Sequence, residues 1–348
     1  MRLRLFCLLL PLLLLSGCSG TTVVYYDECN CPEENQQQAQ TPPDTDNDKN
    51  ALKTGLAVIA GVSDSQNAQH ADYSVTIAAV AVDGDGVIRQ CIIDGVSTQV
   101  AFNSAGTVTS DINASVLTKN ELGDDYGMKA YGGASYEWYQ QAEALAKYAT
   151  GKTAAELQRS AINADGYAAD PDLAATATIR LDTLVQAVAQ AADSAQSRGA
   201  QAGDTLHLAV ISKVSNSTSA TPDTPGTAQL DSDMAVVTRS GDTISSCYID
   251  SLQAKVTFDA TGAITSDIAA PIPTKNELGD AYGMKAYGGA TYEWDQQAES
   301  FSRFVTGKTL SEVAGLATAD GYAADADLAA SVTIRVSGFQ ALIAKIFS

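Results

Sequence analysis

The sequence predicts an α+β fold built from two tandem copies of a small domain, each an antiparallel sheet packed with helices. Three observations carry this. The segment Thr118 to Trp138, TKNELGDDYGMKAYGGASYEW, returns as Thr274 to Trp294, TKNELGDAYGMKAYGGATYEW, identical at 19 of 21 positions. The offset of 156 runs back to Cys91/Cys247 and forward to Gly151/Gly307, then continues at 155 through Gly166-Tyr167 and Gly321-Tyr322. Its period is a whole domain rather than a solenoid unit. Within each copy, strand patterns come first and helical patterns after. With 348 residues, 45% of them hydrophobic, the chain is long and apolar enough for about two cores.

The elements follow in one order. A strand (Gly55 to Ala60; Thr205 to Ser212) enters a polar loop, and a second strand follows (Tyr73 to Val82; Met234 to Thr238). A Gly/Asp turn leads to a third, Val87 to Asp94 and Thr243 to Asp250, whose alternation predicts one buried face. A fourth short strand holds Val100/Phe102 and Val256/Phe258, and the near-identical loop comes next. Ser135 and Thr291 are expected to cap a helix carrying Trp138, Ala142, Leu145 and Ala149, or Trp294, Ala298, Phe301 and Val305, on one face. Gly151 and Gly307 stand where a helix ends in a left-handed residue. Thr153-x-x-Glu156 and Thr309-x-x-Glu312 read as capping boxes of a further helix. Each copy closes with a strand (Thr176 to Arg180; Ser331 to Val336) and a helix buried through Leu181, Leu184, Val185 and Val188, or Phe339, Leu342, Ile343 and Ile346. The domains fall at 51–200 and 204–348, joined by the polar stretch Ser194 to Gly203.

The N-terminus predicts the address. Two arginines, Arg2 and Arg4, precede the apolar run Phe6 to Leu15, which is too short to span a bilayer and fits the core of a signal peptide. Leu15-Ser16-Gly17-Cys18 resembles the lipobox of bacterial lipoproteins, with residues 1–17 removed and Cys18 lipidated as the mature N-terminus. Acyl chains on Cys18 would hold the protein to the lipid bilayer outside the cytoplasm, on the cell surface or the periplasmic side. Residues 18–50, with Gln36-Gln37-Gln38, Pro42-Pro43 and an Asp-rich run, read as a polar tether.

Charge and composition narrow the function. The formal charge is -20, from 21 basic and 41 acidic residues, and 19 − 41 = -22 once Arg2 and Arg4 are gone. Nucleic acid is excluded as a partner, since its binding rests on Lys and Arg at phosphates. Only two histidines are present, His70 and His207, at non-equivalent places, and no Ser/His/Asp set or metal cluster is visible. No catalytic residue and no metal site is therefore assigned. Gly151-Lys152-Thr153 lacks the earlier glycine of a phosphate loop. Asp83-Gly84-Asp85-Gly86 becomes Arg239-Ser240-Gly241-Asp242 in the second copy, as befits a hairpin turn rather than a calcium loop. Cys29 and Cys31 could form a redox couple, a disulfide to a partner or a metal clip. Cys91 and Cys247 read as small buried hydrophobes.

The loop stands apart from its surroundings. Asp83 to Leu117 matches its counterpart at 12 of 35 positions, and Tyr139 to Leu157 at 9 of 19. Divergence has spared YGMKAYGG: Tyr126, Gly127, Met128, Lys129, Tyr131, Gly132 and Gly133, repeated as Tyr282, Gly283, Met284, Lys285, Tyr287, Gly288 and Gly289. Flat aromatic faces and a cation at the start of a helix could hold a planar anionic ligand. Packing of the same residues against their own sheet is equally open, because two copies alone do not separate packing from binding.

Strands around an Asp-Gly turn, a long loop with an acidic-Tyr-x-Met segment, a helix and a closing strand-helix make each copy similar to the FMN-binding domain of bacterial extracytoplasmic lipoproteins. Glu121/Tyr126/Met128 and Glu277/Tyr282/Met284 carry the likeness. That family attaches flavin to a Thr in Asp-x-x-Ser-Gly-Ala-Thr. The corresponding strings here run from Asp172 to Thr178 and from Asp327 to Thr333, with Ala175-Thr176 and Ala330-Ser331 in place of Ser-Gly. The resemblance implies FMN as cofactor and Thr178 and Thr333 as attachment points. Three roles follow as expectations: a non-catalytic small-ligand binding protein with flavin as one ligand, a flavin electron-transfer protein, or a structural or adhesive envelope lipoprotein that binds another envelope protein.

Overall fold

The computed structural model describes residues 50–63 and 69–346; the segment expected to be a signal peptide, Cys18, Cys29, Cys31 and all but the last residue of the expected tether lie outside them. The first copy contains β1 (Ala51–Ser63), β2 (His70–Val82) and β3 (Ile88–Ala101). Then come α1 (Lys119–Leu122), α2 (Met128–Gly132), α3 (Trp138–Ala149), α4 (Ala154–Ser160), α5 (Pro171–Ala174) and α6 (Asp182–Asp193). β4 (Gln196–Gln201) leads to the second copy's β5 (Thr205–Lys213), β6 (Gly226–Ser240) and β7 (Thr243–Phe258). α7 (Lys275–Leu278), α8 (Met284–Gly288), α9 (Trp294–Val305) and α10 (Leu310–Ala314) follow. A two-residue hairpin, β8 (Thr318–Ala319) with β9 (Tyr322–Ala323), precedes α11 (Ala326–Ser331) and α12 (Ser337–Lys345). The fold is α+β, with antiparallel sheets packed against helices.

The sheets have the orders β3-β2-β1-β4 and β5-β6-β7. Period-two alternation makes each strand serve two cores. Along β2, Ala71, Tyr73, Val75, Ile77, Ala79 and Ala81 face the other sheet, where Leu230, Met234, Leu252 and Phe258 meet them. The intervening Ala78, Val80 and Val82 pack under α3, α4 and α6 through Trp138, Leu145, Leu157 and Val188. The second copy repeats this outer core with Val237, Ile249, Trp294, Phe301 and Leu342. The layers therefore run helix, sheet, sheet, helix. Phe102 and Phe258 stack at 3.9 Å between the sheets, and the Tyr73 hydroxyl donates to the Ala228 carbonyl at 2.7 Å.

Several boundaries differ from the sequence expectation. The third strand is buried on both faces in its middle, from Ile93 to Val96 in β3 and from Ile249 to Leu252 in β7, and Val100 and Val256 continue β3 and β7 rather than forming a fourth strand. Ser194 to Gly203 is no simple joint: Gln196–Gln201 is β4, whose Gln196 and Ser197 pair with Thr54 and Lys53. No closing strand forms at Thr176 to Arg180, and at Ser331 to Val336 it is reduced to one bridge from Arg335 to Tyr322, since two amides of each segment are taken by a side chain instead. The buried Gln141 Oε1 accepts from Thr178 N at 2.7 Å and Ile179 N at 3.1 Å, and Gln297 does the same for Thr333 and Ile334. The described residues form one compact unit, since the inter-sheet core belongs to both copies.

Candidate functional site

The repeated block is a chain of short turns locked at each joint. Thr118 caps α1 in a full capping box, its hydroxyl accepting from Glu121 N while Glu121 Oε2 accepts from Thr118 N at 2.9 Å. A 3₁₀ turn at Gly123–Tyr126 ends on Gly127, at φ 80°, and α2 ends on Gly133, at φ 66°. Gly127 is required twice over. Its backbone is left-handed, and a Cβ there would lie 2.6 Å from the Tyr131 ring. Gly283 and Tyr287 repeat the geometry at the same distance.

Glu137, not Ser135, caps α3, and its side chain reaches further. The buried carboxylate accepts from Met128 N at 2.8 Å and Lys129 N at 3.0 Å, while Gln140 Oε1 accepts from Glu137 N. Glu293 makes the same bonds to Met284 and Lys285, so Thr291 is displaced as a cap in the same way. A carboxylate is preferred because it completes two orphan amides of the preceding turn and also opens its own helix. The place where a planar anion was expected is therefore filled by the chain itself. Trp138 and Tyr126 are engaged as well, with the Lys119 ammonium 4.9 and 5.2 Å from their rings; Lys275 repeats this over Trp294 and Tyr282.

What the lock leaves outside is a pair of tips. Tyr131 and Tyr287 are each 92% exposed. Lys129, Gly132 and Gly133 are exposed beside Tyr131, and Lys285, Gly288 and Gly289 beside Tyr287; Met128 and Met284 are half-buried at the base. Lys285 forms an ion pair with Asp280 at 3.2 Å. Packing thus accounts for Tyr126, Trp138, Gly127 and Glu137 and their counterparts, but not for Tyr131 or Tyr287. Cavities of ≈ 490 and ≈ 410 Å³ exist elsewhere, and neither draws a wall from Tyr126 to Gly133 or from Tyr282 to Gly289.

Thr178 and Thr333 are exposed, and each hydroxyl lies 3.3 and 3.2 Å from the amide oxygen of Gln141 and Gln297 respectively. Cys91 and Cys247 are free thiols, and burial pushes both up to about 12, which suits packing and not redox work. Among the described residues, no group of three or more His, Cys, Asp or Glu could hold a metal ion.

Sequence reasoning missed the buried pair Asp94 and Asp250. Burial raises each to about 6, against hydrogen bonds from Gly95 and Asn120, or Ser251 and Asn276, that favour the charge. The available signal was the Ile-Asp string shared by both third strands. Among the described residues, no helix is long and apolar enough to cross a membrane. The chain matches no family model, no curated protein and no solved structure.

Proposed function

We propose that the protein is a non-catalytic lipoprotein, held outside the cytoplasm by acyl chains on Cys18, whose two YGMKAYGG tips bind another protein of the cell envelope. The supporting observation is that Tyr131 and Tyr287 are retained in both copies while each is 92% exposed. A residue that contributes little to packing, kept where flanking sequence has diverged, is best explained by something it touches outside the chain. Tyrosine beside glycine on a fixed turn presents a large, rigid, amphipathic face with little entropy to lose, as protein-binding loops do. Lys129 and Lys285 add a cation at the rim. A flavin would need a concave wall around it, and a projecting tip suits a broad partner better.

A photo-crosslinking residue placed at 131 or at 287 in living cells tests this, with Tyr167, 45% exposed and outside the tips, as the control position. The same adduct from both tips and none from position 167 is the expected result. Adducts from all three positions alike, or from none, would remove the proposal.

A further inference from the structure

Strand register relates the two copies residue by residue beyond the repeated block. Cys91 pairs with Val80 and Val80 with Gly55; Cys247 pairs with Val237 and Val237 with His207. Gly55 of β1 thus corresponds to His207 of β5, and Val58 to Val210. At the offset of 155, Gln190 near the end of α6 corresponds to Lys345 at the end of α12. At the offset of 156, Glu121 corresponds to Glu277.

In one of these two related places the chain fills the site itself. Lys345 Nζ of the second copy pairs with Glu121 Oε1 of the first at 2.5 Å and donates to the Val210 carbonyl. Burial works to raise the Glu121 carboxyl, but the Lys345 and Thr118 hydrogen bonds outweigh it and hold the group below its ordinary range. In the other place the lysine is missing. Glu277 Oε2 accepts from Thr274 N at 2.7 Å, as Glu121 does from Thr118, yet Glu277 Oε1 has no partner among the described residues. Gln190 stands where Lys345 would, and between them lies the groove of ≈ 490 Å³, walled by Val58, Gln190, Glu277, Asp250 and Asn276. β4 covers β1 only from Ala51 to Thr54, so no strand pairs with the edge of β1 at Val58, the place that corresponds to Val210 on the edge strand β5. The Asn276 Oδ1 atom is buried without a hydrogen-bond partner.

We propose that this groove binds a primary alkylammonium group, seated on Glu277 where Lys345 seats itself on Glu121. The charges agree: Asp193, Asp250 and Glu277 line the groove against one cation, Arg198. Arg198 already donates to the Thr54 carbonyl and to Gln196 Oε1, and it stacks 4.0 Å over the Tyr248 ring. Carboxylates therefore outnumber cations in the groove, and Glu277 lacks the N–H cation that Glu121 has. The volume is in the usual range for a small-molecule site. A quaternary ammonium could not donate, and an alcohol could donate but would bring no charge to the carboxylate.

Calorimetric titration of the full mature chain in detergent tests this with 1,5-diaminopentane, with tetramethylammonium and pentanol as controls. A blocked lysine amide, titrated in parallel, tells a free amine from a lysine side chain as the source of the same group. Saturable binding of either amine at one site, with none for the controls, is expected. Glu277→Gln should weaken it about tenfold or more, since a charge-assisted bond is lost. Gln190→Lys should abolish binding and raise Tm by supplying the ammonium internally. Lys345→Gln should open the related place and add a second site. Failure of both amines to bind the parent chain, or binding indifferent to Glu277→Gln and Gln190→Lys, would overturn the proposal.

Discussion

Replacing Asp94 and Asp250 together by asparagine should stabilise the protein at neutral pH and change little in acid. Both carboxyls are buried, and desolvation raises each from 3.8 to about 6. In the unfolded chain they ionise near the ordinary value. Between about pH 4 and 6 the unfolded chain therefore releases protons that the folded chain keeps, so these two groups make stability fall as pH rises through that window and leave it flat above. The interval from 3.8 to about 6, at about 1.36 kcal/mol per pH unit, is worth about 3 kcal/mol at each site. Asparagine avoids this cost while its amide oxygen keeps the acceptor role toward Gly95 N and Asn120 N, or Ser251 N and Asn276 N, at 2.7 to 3.1 Å. Denaturant unfolding of parent and double variant across pH 4 to 8 gives the difference directly, and the carboxylates elsewhere cancel in it. The difference should grow from near zero at pH 4 to a plateau of several kcal/mol above pH 6. A difference that is constant with pH would refute the assignment of buried, raised carboxyls.

Tyr131→Ala and Tyr287→Ala should each change stability by no more than about 0.5 kcal/mol, as exposed substitutions do, and thermal melts check this. Gly127→Ala should cost about 1 kcal/mol or more, from the left-handed backbone and the displaced Tyr131 ring; loss of the Tyr131 environment by fluorescence or NMR would accompany it. Phe258→Ala should cost about 3–5 kcal/mol, because it empties the inter-sheet core against Phe102, and chemical denaturation measures it.

The helices were legible from sequence because their signals are local. Thr153 and Glu156 form the expected capping box, and Trp138, Ala142, Leu145 and Ala149 occupy the expected buried face. Strand termini were not, because Val100 and Val256 are held in β3 and β7 by pairing with distant residues on β2 and β6. Alternation along the third strand implied one buried face, whereas a second sheet covers the other, and nothing local announces a neighbour about 150 residues away. The same blindness placed a joint at Ser194 to Gly203, where β4 pairs with β1. In the loop, sequence identified the right residues but could not sort them. Glu137 was read as a favourable charge in a first turn, and only its reach back to Met128 N and Lys129 N separates the locked residues from the exposed tips.

Retention of the Asp44–Ser348 unit, without Cys18 and so free of the proposed lipid anchor, on isolated cell envelopes tests the role of the tips most directly. Two engaged tips should reinforce each other because one unit carries both, so that either single tyrosine variant loses about a hundredfold or more in apparent affinity. The double variant Tyr131→Ala/Tyr287→Ala should not be retained, although its melting temperature matches the parent. Equal retention of parent and double variant would contradict the account.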